Sequence, residues 1–172
     1  YEVLHAQNLT DYEYFSVYEK EQWDMFLDAT DTLTKNYFFP LLVPMDREQP
    51  ELIEGKIRVH PRMKEIMRIC GEGGWISAIA KKESGGMQMP MTIANAASFI
   101  MGAANYDITA YPGLTMGAAH LIENYGSKEL QETYLPKMFG GEWQGTMALT
   151  EPGAGSSLSD IVTVARELGG GK

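Results

Sequence analysis

The apolar residues of this chain recur at three- and four-residue steps for most of its length and change to alternation only after Gly140-Gly141. That single change of period is the strongest constraint on the fold, because a period near 3.6 buries one face of a helix and a period of two buries one face of a strand. Trp23, Phe26, Leu27, Thr30, Leu33, Tyr37, Phe38, Leu41 and Leu42 predict one long amphipathic helix from Tyr18, kinked at Pro40 and ended near Pro44. Residues 45–58 read as a loop. Pro61 opens a second helix whose face is Met63, Ile66, Met67 and Cys70, ended by Gly71, Gly73 and Gly74. Pro90 opens a third, whose many Ala and Gly residues predict close packing on both sides. A fourth is expected from about Pro112 to Tyr125, with Gly126 as its C-cap and Gly113 and Gly117 marking a close helix contact. Ser127 is the N-cap of a fifth, Lys128–Met138. Residues 11–18 form either a short helix or an arm, and residues 75–80 a helical turn.

After Gly140-Gly141, Trp143, Gly145, Met147 and Leu149 alternate with Gln144, Thr146, Ala148 and Thr150, which predicts a strand. Ile161-Val162-Thr163-Val164 predicts a second short one. The expected fold class is therefore mainly α: a bundle of about five or six helices over 1–140, then the first strands of a truncated β domain over 141–172.

The chain has 172 residues, enough for a sizeable core. Its 14 basic and 23 acidic residues leave a net charge of −9. That field excludes general binding to phosphate backbones, so nucleic acid is not an expected partner. No apolar run is long enough to span a bilayer. The single cysteine, Cys70, excludes an internal disulfide and favours a reducing, cytoplasmic setting. The chain does not begin with Met and closes on Gly169-Gly170-Gly171-Lys172, which reads as a turn; both ends are expected to be cuts in a longer polypeptide.

The chemistry concentrates in Met147-Ala148-Leu149-Thr150-Glu151-Pro152-Gly153-Ala154-Gly155-Ser156-Ser157. A strand delivers Thr150 to a corner, and Pro-Gly favours a type II turn with Gly153 at positive φ. Gly155 lets another molecule approach its backbone, and Ser156 and Ser157 add hydroxyls. Such a corner holds an anion on its N–H groups or is an ordinary turn between strands; both readings fit the spacing. Neither the dinucleotide-binding fingerprint nor the phosphate-binding P-loop is complete here.

The segment Ala148–Ser156 closely resembles the flavin-loop signature of the acyl-CoA dehydrogenase family. Tyr125–Glu129, Tyr134–Lys137 and Gly141-Glu142-Trp143 resemble the helix and lead-in before that signature. Glu72-Gly73-Gly74-Trp75 and Gly85-Gly86 resemble a helix end and loop of the family's N-terminal domain. Tyr111–Thr115 and Tyr1–Leu4 are similar to a long bacterial branch that includes methylmercaptopropionyl-CoA dehydrogenases. The resemblance implies a helical N-terminal domain, a middle β domain and a C-terminal bundle. It implies FAD, an acyl-CoA substrate, an electron-transfer flavoprotein as acceptor (or a different acceptor, for the family's acyl-CoA oxidases), and a homo-oligomer. By position, Met147, Leu149 and Thr150 match residues along the flavin ring, with Thr150 bonding its polar edge. Gly155 and Ser156 match the turn at the pyrophosphate, and Ser156 also lies near the pantetheine arm of the substrate. Ser157 departs from the family, which usually has Asp there. The resemblance puts the catalytic glutamate beyond Lys172, so no residue of this chain is assigned as the base, Glu151 included.

Other residues carry blander readings. His120 and Glu123 share a helix face but lack a third metal ligand. Cys70 reads as core. Met87, Met89 and Met91 read as packing rather than a copper site. A non-catalytic helical binding or assembly module is the competing expectation for the whole chain.

Overall fold

The computed structural model describes residues 1–169. The expected end turn at Gly169–Lys172 thus falls largely outside the described residues. Two short 3₁₀ turns, Ala6–Asp11 and Glu13–Phe15, lead into α1 (Lys20–Leu33). Then follow α2 (Leu42–Arg47), β1 (Glu51–Ile53), β2 (Lys56–Arg58), α3 (Met63–Glu72), α4 (Met91–Ala104), α5 (Tyr106–Tyr125) and α6 (Lys128–Phe139). The architecture is mainly helical, as the periodicity predicts. Among the described residues, no helix is long and apolar enough to cross a membrane.

The long first stripe does not form one helix. After α1 the backbone widens into a π turn at Thr34–Phe38, then tightens into a 3₁₀ turn at Phe39–Leu41 around Pro40. The π turn absorbs an extra residue, which carries the buried stripe from Leu33 to Phe38 without breaking it. Pro44 does not end the helix. It sits in the first turn of α2, where a missing N–H costs nothing, and its carbonyl accepts the N–H of Glu48.

The expected loop at 45–58 contains a hairpin. β1 and β2 pair antiparallel, Leu52 opposite Ile57, around Glu54-Gly55, both at positive φ (50° and 76°). That is the backbone of a type I′ turn, whose twist suits a two-residue hairpin loop. Gly55 was the available signal.

The fourth helix begins earlier than Pro112. Asn105 caps it: its Oδ1 accepts the N–H of Ile108 at 3.2 Å, and its Nδ2 donates to the carbonyl of Phe38 at 3.3 Å. This buried amide joins the start of α5 to the π turn, and Pro112 lies inside the helix. Ser127 caps α6 through the N–H of Leu130, as expected. Packing of α4 is one-sided: Ile93, Ala94, Ala97 and Met101 are buried, whereas Phe99 is 77% exposed.

Two apolar clusters make the core. In one, Met63, Ile66, Met67 and Cys70 of α3 meet Met101, Ile108, Ala119, Leu135 and Met138. In the other, Trp23 and Phe26 of α1 meet Ala78, Met89, Ile93 and Ala97. Each fully buried Met or Ile here contributes about 1.5–3 kcal/mol relative to exposure. Trp75 packs against both clusters, stacks on Phe26 at 5.9 Å between centroids, and donates Nε1–H to Thr30 Oγ1 at 2.8 Å.

Candidate functional site

The candidate segment leaves the bundle at the end of α6. Gly140 closes the helix, and Gly141 turns the chain at φ 75°. The N–H groups of Glu142 and Trp143 then both donate to the carbonyl of Lys137, at 2.9 and 3.1 Å. Trp143 packs edge-on against Tyr134 and lies under the Lys137 ammonium, 4.2 Å from the ring centre. From there the chain crosses α5. The N–H of Gly145 donates to Thr115 Oγ1 at 3.2 Å. A Cβ on Gly145 would collide with the Ala118 methyl and lie 3.2 Å from Met138 Cε.

The alternating pattern at 143–150 does not form a paired strand. Among the described residues, no main-chain group from Thr146 to Thr150 bonds to another main-chain group. A ladder needs a neighbour, and these residues supply none; the same holds for Ile161–Val164. Met147 and Leu149 are 64% and 39% exposed, and Thr150 is exposed as well. Among the described residues, the hydroxyls of Thr150 and Ser156 have no hydrogen-bond partner.

The corner itself is a tight turn, Glu151 and Ala154 exchanging both main-chain bonds at 2.9 and 3.2 Å. Gly153 does not adopt positive φ, so the turn is not the expected type II. Glu151 has a structural task. Its carboxylate accepts the Thr163 hydroxyl, the N–H of Val162 at 2.9 Å and the N–H of Thr163 at 2.8 Å. Those donors, the Thr163 hydroxyl foremost, hold its pKa below the ordinary value. A carboxylate so held is a weaker base than a free one and is committed to a loop clasp. Ser157 faces Ser159 with Oγ atoms 3.3 Å apart.

The segment suits a flat, polar-edged group followed by an anion, as FAD is. A Cβ on Gly153 or Gly155 would meet nothing within 4 Å, and neither residue has positive φ. The described residues therefore give no packing or conformational reason for glycine there, while a group lying on that backbone would. The unpaired main chain and free hydroxyls beside it are unspent donors and acceptors.

The remaining candidates resolve into packing. Glu123 is 6% exposed; its Oε1 accepts the N–H of Lys81 at 2.8 Å, which ties the loop before α4 to α5. His120 Nδ1 lies 3.6 Å from its other oxygen. Among the described residues, no group of three or more His, Cys, Asp or Glu is placed to hold a metal. Cys70 is buried, and burial pushes its thiol up to about 12, which leaves no thiolate at neutral pH. Met89 is core, Met87 packs beside it and Met91 is exposed, so the three do not converge. Gly113 and Gly117 do not mark a helix contact: a Cβ on either would meet nothing within 4 Å. A recess of about 1210 Å³ is an open groove between Tyr1–Leu4, Leu27 and the start of α4, and none of the candidate site residues lines it.

Comparison with known proteins bears on the helical part of the chain. Residues 21–142 match the family described as "Acyl-CoA dehydrogenase, N-terminal domain". The 3-methylmercaptopropionyl-CoA dehydrogenase of Ruegeria pomeroyi is 35% identical over 122 residues, 71% of this chain and 21% of that protein. The butyryl-CoA dehydrogenase of Syntrophomonas wolfei is 30% identical over 153 residues, 87% of this chain and 25% of that protein. The chain thus spans about a fifth to a quarter of the length of these relatives. An acyl-CoA dehydrogenase of Bacillus anthracis, solved in complex with FAD, shares the fold with a TM-score of 0.67 at 22% identity, over 82% of this chain and 22% of that one. The α1–α6 bundle is an acyl-CoA dehydrogenase N-terminal domain, and the chain belongs to the acyl-CoA dehydrogenase family.

Proposed function

We propose that this chain is the N-terminal helical part, with the opening of a middle β domain, of a flavin-dependent acyl-CoA dehydrogenase. The boundary falls at 140–141, where the bundle ends; the family match ending at residue 142 supports it. The observation that carries the reading is the run Met147–Ser156, exposed and without main-chain partners from Met147 to Thr150 and holding two glycines that the chain's own packing does not require.

When bound, FAD supplies acceptance of a hydride from the β carbon of an acyl-CoA thioester. The residues of this chain bind and orient. Met147 and Leu149 offer apolar contact beside the flavin ring. Thr150 Oγ1 bonds its polar edge. The N–H of Gly155 and the N–H and hydroxyl of Ser156 hold the pyrophosphate, and Ser156 reaches the pantetheine arm of the acyl-CoA. The resemblance implies that the base that takes the α proton belongs to another part of the polypeptide; Glu151, held by Val162 and Thr163, is not assigned that role. An electron-transfer flavoprotein as acceptor, a homo-oligomeric assembly and a reducing, cytoplasmic setting complete the proposal; the buried free thiol of Cys70 suits the last.

The test is a flavin titration of the complete polypeptide. Thr150→Ala with Ser156→Ala is expected to weaken FAD affinity by about tenfold or more, the scale of lost hydrogen bonds to a charged or polar ligand. Unchanged affinity would overturn the site assignment.

A further inference from the structure

Thr115 is fully buried in the middle of α5, yet its hydroxyl is used twice. It donates to the carbonyl of Tyr111 at 2.8 Å, and its oxygen accepts the N–H of Gly145 at 3.2 Å. Between Trp143, whose N–H is bonded to Lys137, and the Glu151–Ala154 turn, this is the one hydrogen bond from the main chain to the bundle among the described residues. Steric fit acts at the same point. The Cα of Gly145 lies so close to Ala118 that any Cβ would strike its methyl, and Leu114 O would be 3.3 Å away. The next residues, Thr146 to Thr150, are exposed.

From this geometry we infer that Thr115 is a positioning residue for the flavin-facing run Met147–Thr150, an inference that rests on the function proposed above. The physical reason is leverage. Gly145 is the last residue before that run that is held to the bundle, so the Thr115 hydroxyl and the glycine contact set where the run leaves it. Thr115 touches neither flavin nor substrate; it acts through Gly145.

The experiment uses the complete polypeptide with Thr115→Val, which keeps the shape and removes the acceptor, and Thr115→Ser, which restores the hydroxyl. Gly145→Ala is a second, steric route to the same displacement. Amide hydrogen exchange over residues 145–150 of the flavin-free protein reports the hold, and FAD titration reports its consequence. Thr115→Val is expected to speed exchange of the Gly145 amide and weaken FAD binding, each by about tenfold, the effect of about 1.4 kcal/mol. Thr115→Ser should stay near wild type, and Gly145→Ala should weaken FAD binding likewise. Unchanged exchange in Thr115→Val overturns the anchor. Faster exchange with unchanged FAD affinity, while Thr150→Ala still weakens FAD binding, overturns the positioning role. Unchanged FAD affinity in Thr150→Ala as well overturns the cofactor reading itself, and the inference falls with it.

Discussion

A Cβ on Gly71 would lie 2.6 Å from the amide nitrogen of Gly141: α3 and the end of α6 meet backbone against backbone. The contact is mutual, since a Cβ on Gly141 would collide with the carbonyl of Met67 one turn back on α3. This crossing fixes where α6 ends, and so where the run to Thr150 begins. Gly71→Ala is expected to destabilise the chain by about 1–3 kcal/mol, the usual cost of forcing extra volume into a packed contact. Gly117→Ala is the control. It meets nothing within 4 Å on an exposed helix face, and should be neutral or stabilising by up to about 1 kcal/mol from helix propensity. Denaturant unfolding of both variants checks the contrast.

Glu123 binds a different pair of elements, α5 and the loop before α4, through one acceptor bond to the N–H of Lys81. Glu123→Ala leaves that N–H without its partner and should cost about 1–3 kcal/mol. Glu123→Gln keeps a carbonyl oxygen at the same reach and should recover much of the loss. Equal destabilisation by the two substitutions would show that the acceptor is not what matters.

The Glu151 clasp carries a pH dependence of definite sign. The Thr163 hydroxyl and the N–H groups of Val162 and Thr163 favour the carboxylate, so the folded pKa is lower than the unfolded one, ordinarily about 4.5. The clasp's contribution is therefore present above that unfolded value and is lost as pH falls through the folded one. Amide exchange at Val162 and Thr163 should rise relative to its intrinsic rate as pH falls below the ordinary carboxyl value of about 4.5. Thr163→Val should raise the Glu151 pKa toward its ordinary value, as carbon-detected titration of the carboxyl would show.

Cys70 should be silent toward thiol reagents in the native chain. Its thiol is buried and pushed up to about 12, so neither access nor thiolate is available at pH 8. Alkylation by iodoacetamide is expected only after denaturant unfolds α3. Rapid labelling of the folded chain would contradict the burial of this helix face.

What the sequence determined by itself is local and periodic. The stripes of α1, α3 and α4, the Ser127 cap of α6, the glycines at 140–141 and the corner at Glu151–Ser156 are legible because each depends on residues a few positions apart. Asn105 at the start of α5 and Glu54-Gly55 in the hairpin were equally local signals, outweighed by Pro112 and by the polar composition of 45–58. The tertiary structure decided the rest. Whether 143–150 becomes a strand depends on a neighbouring strand, and no internal pattern can supply one. Whether Gly71 or Gly117 makes a close contact depends on which helix crosses which. That Glu151 is a clasp, Glu123 a loop tie and Thr115 an anchor depends on partners 11 to 42 residues away in the chain, brought within bonding distance only when the helices pack.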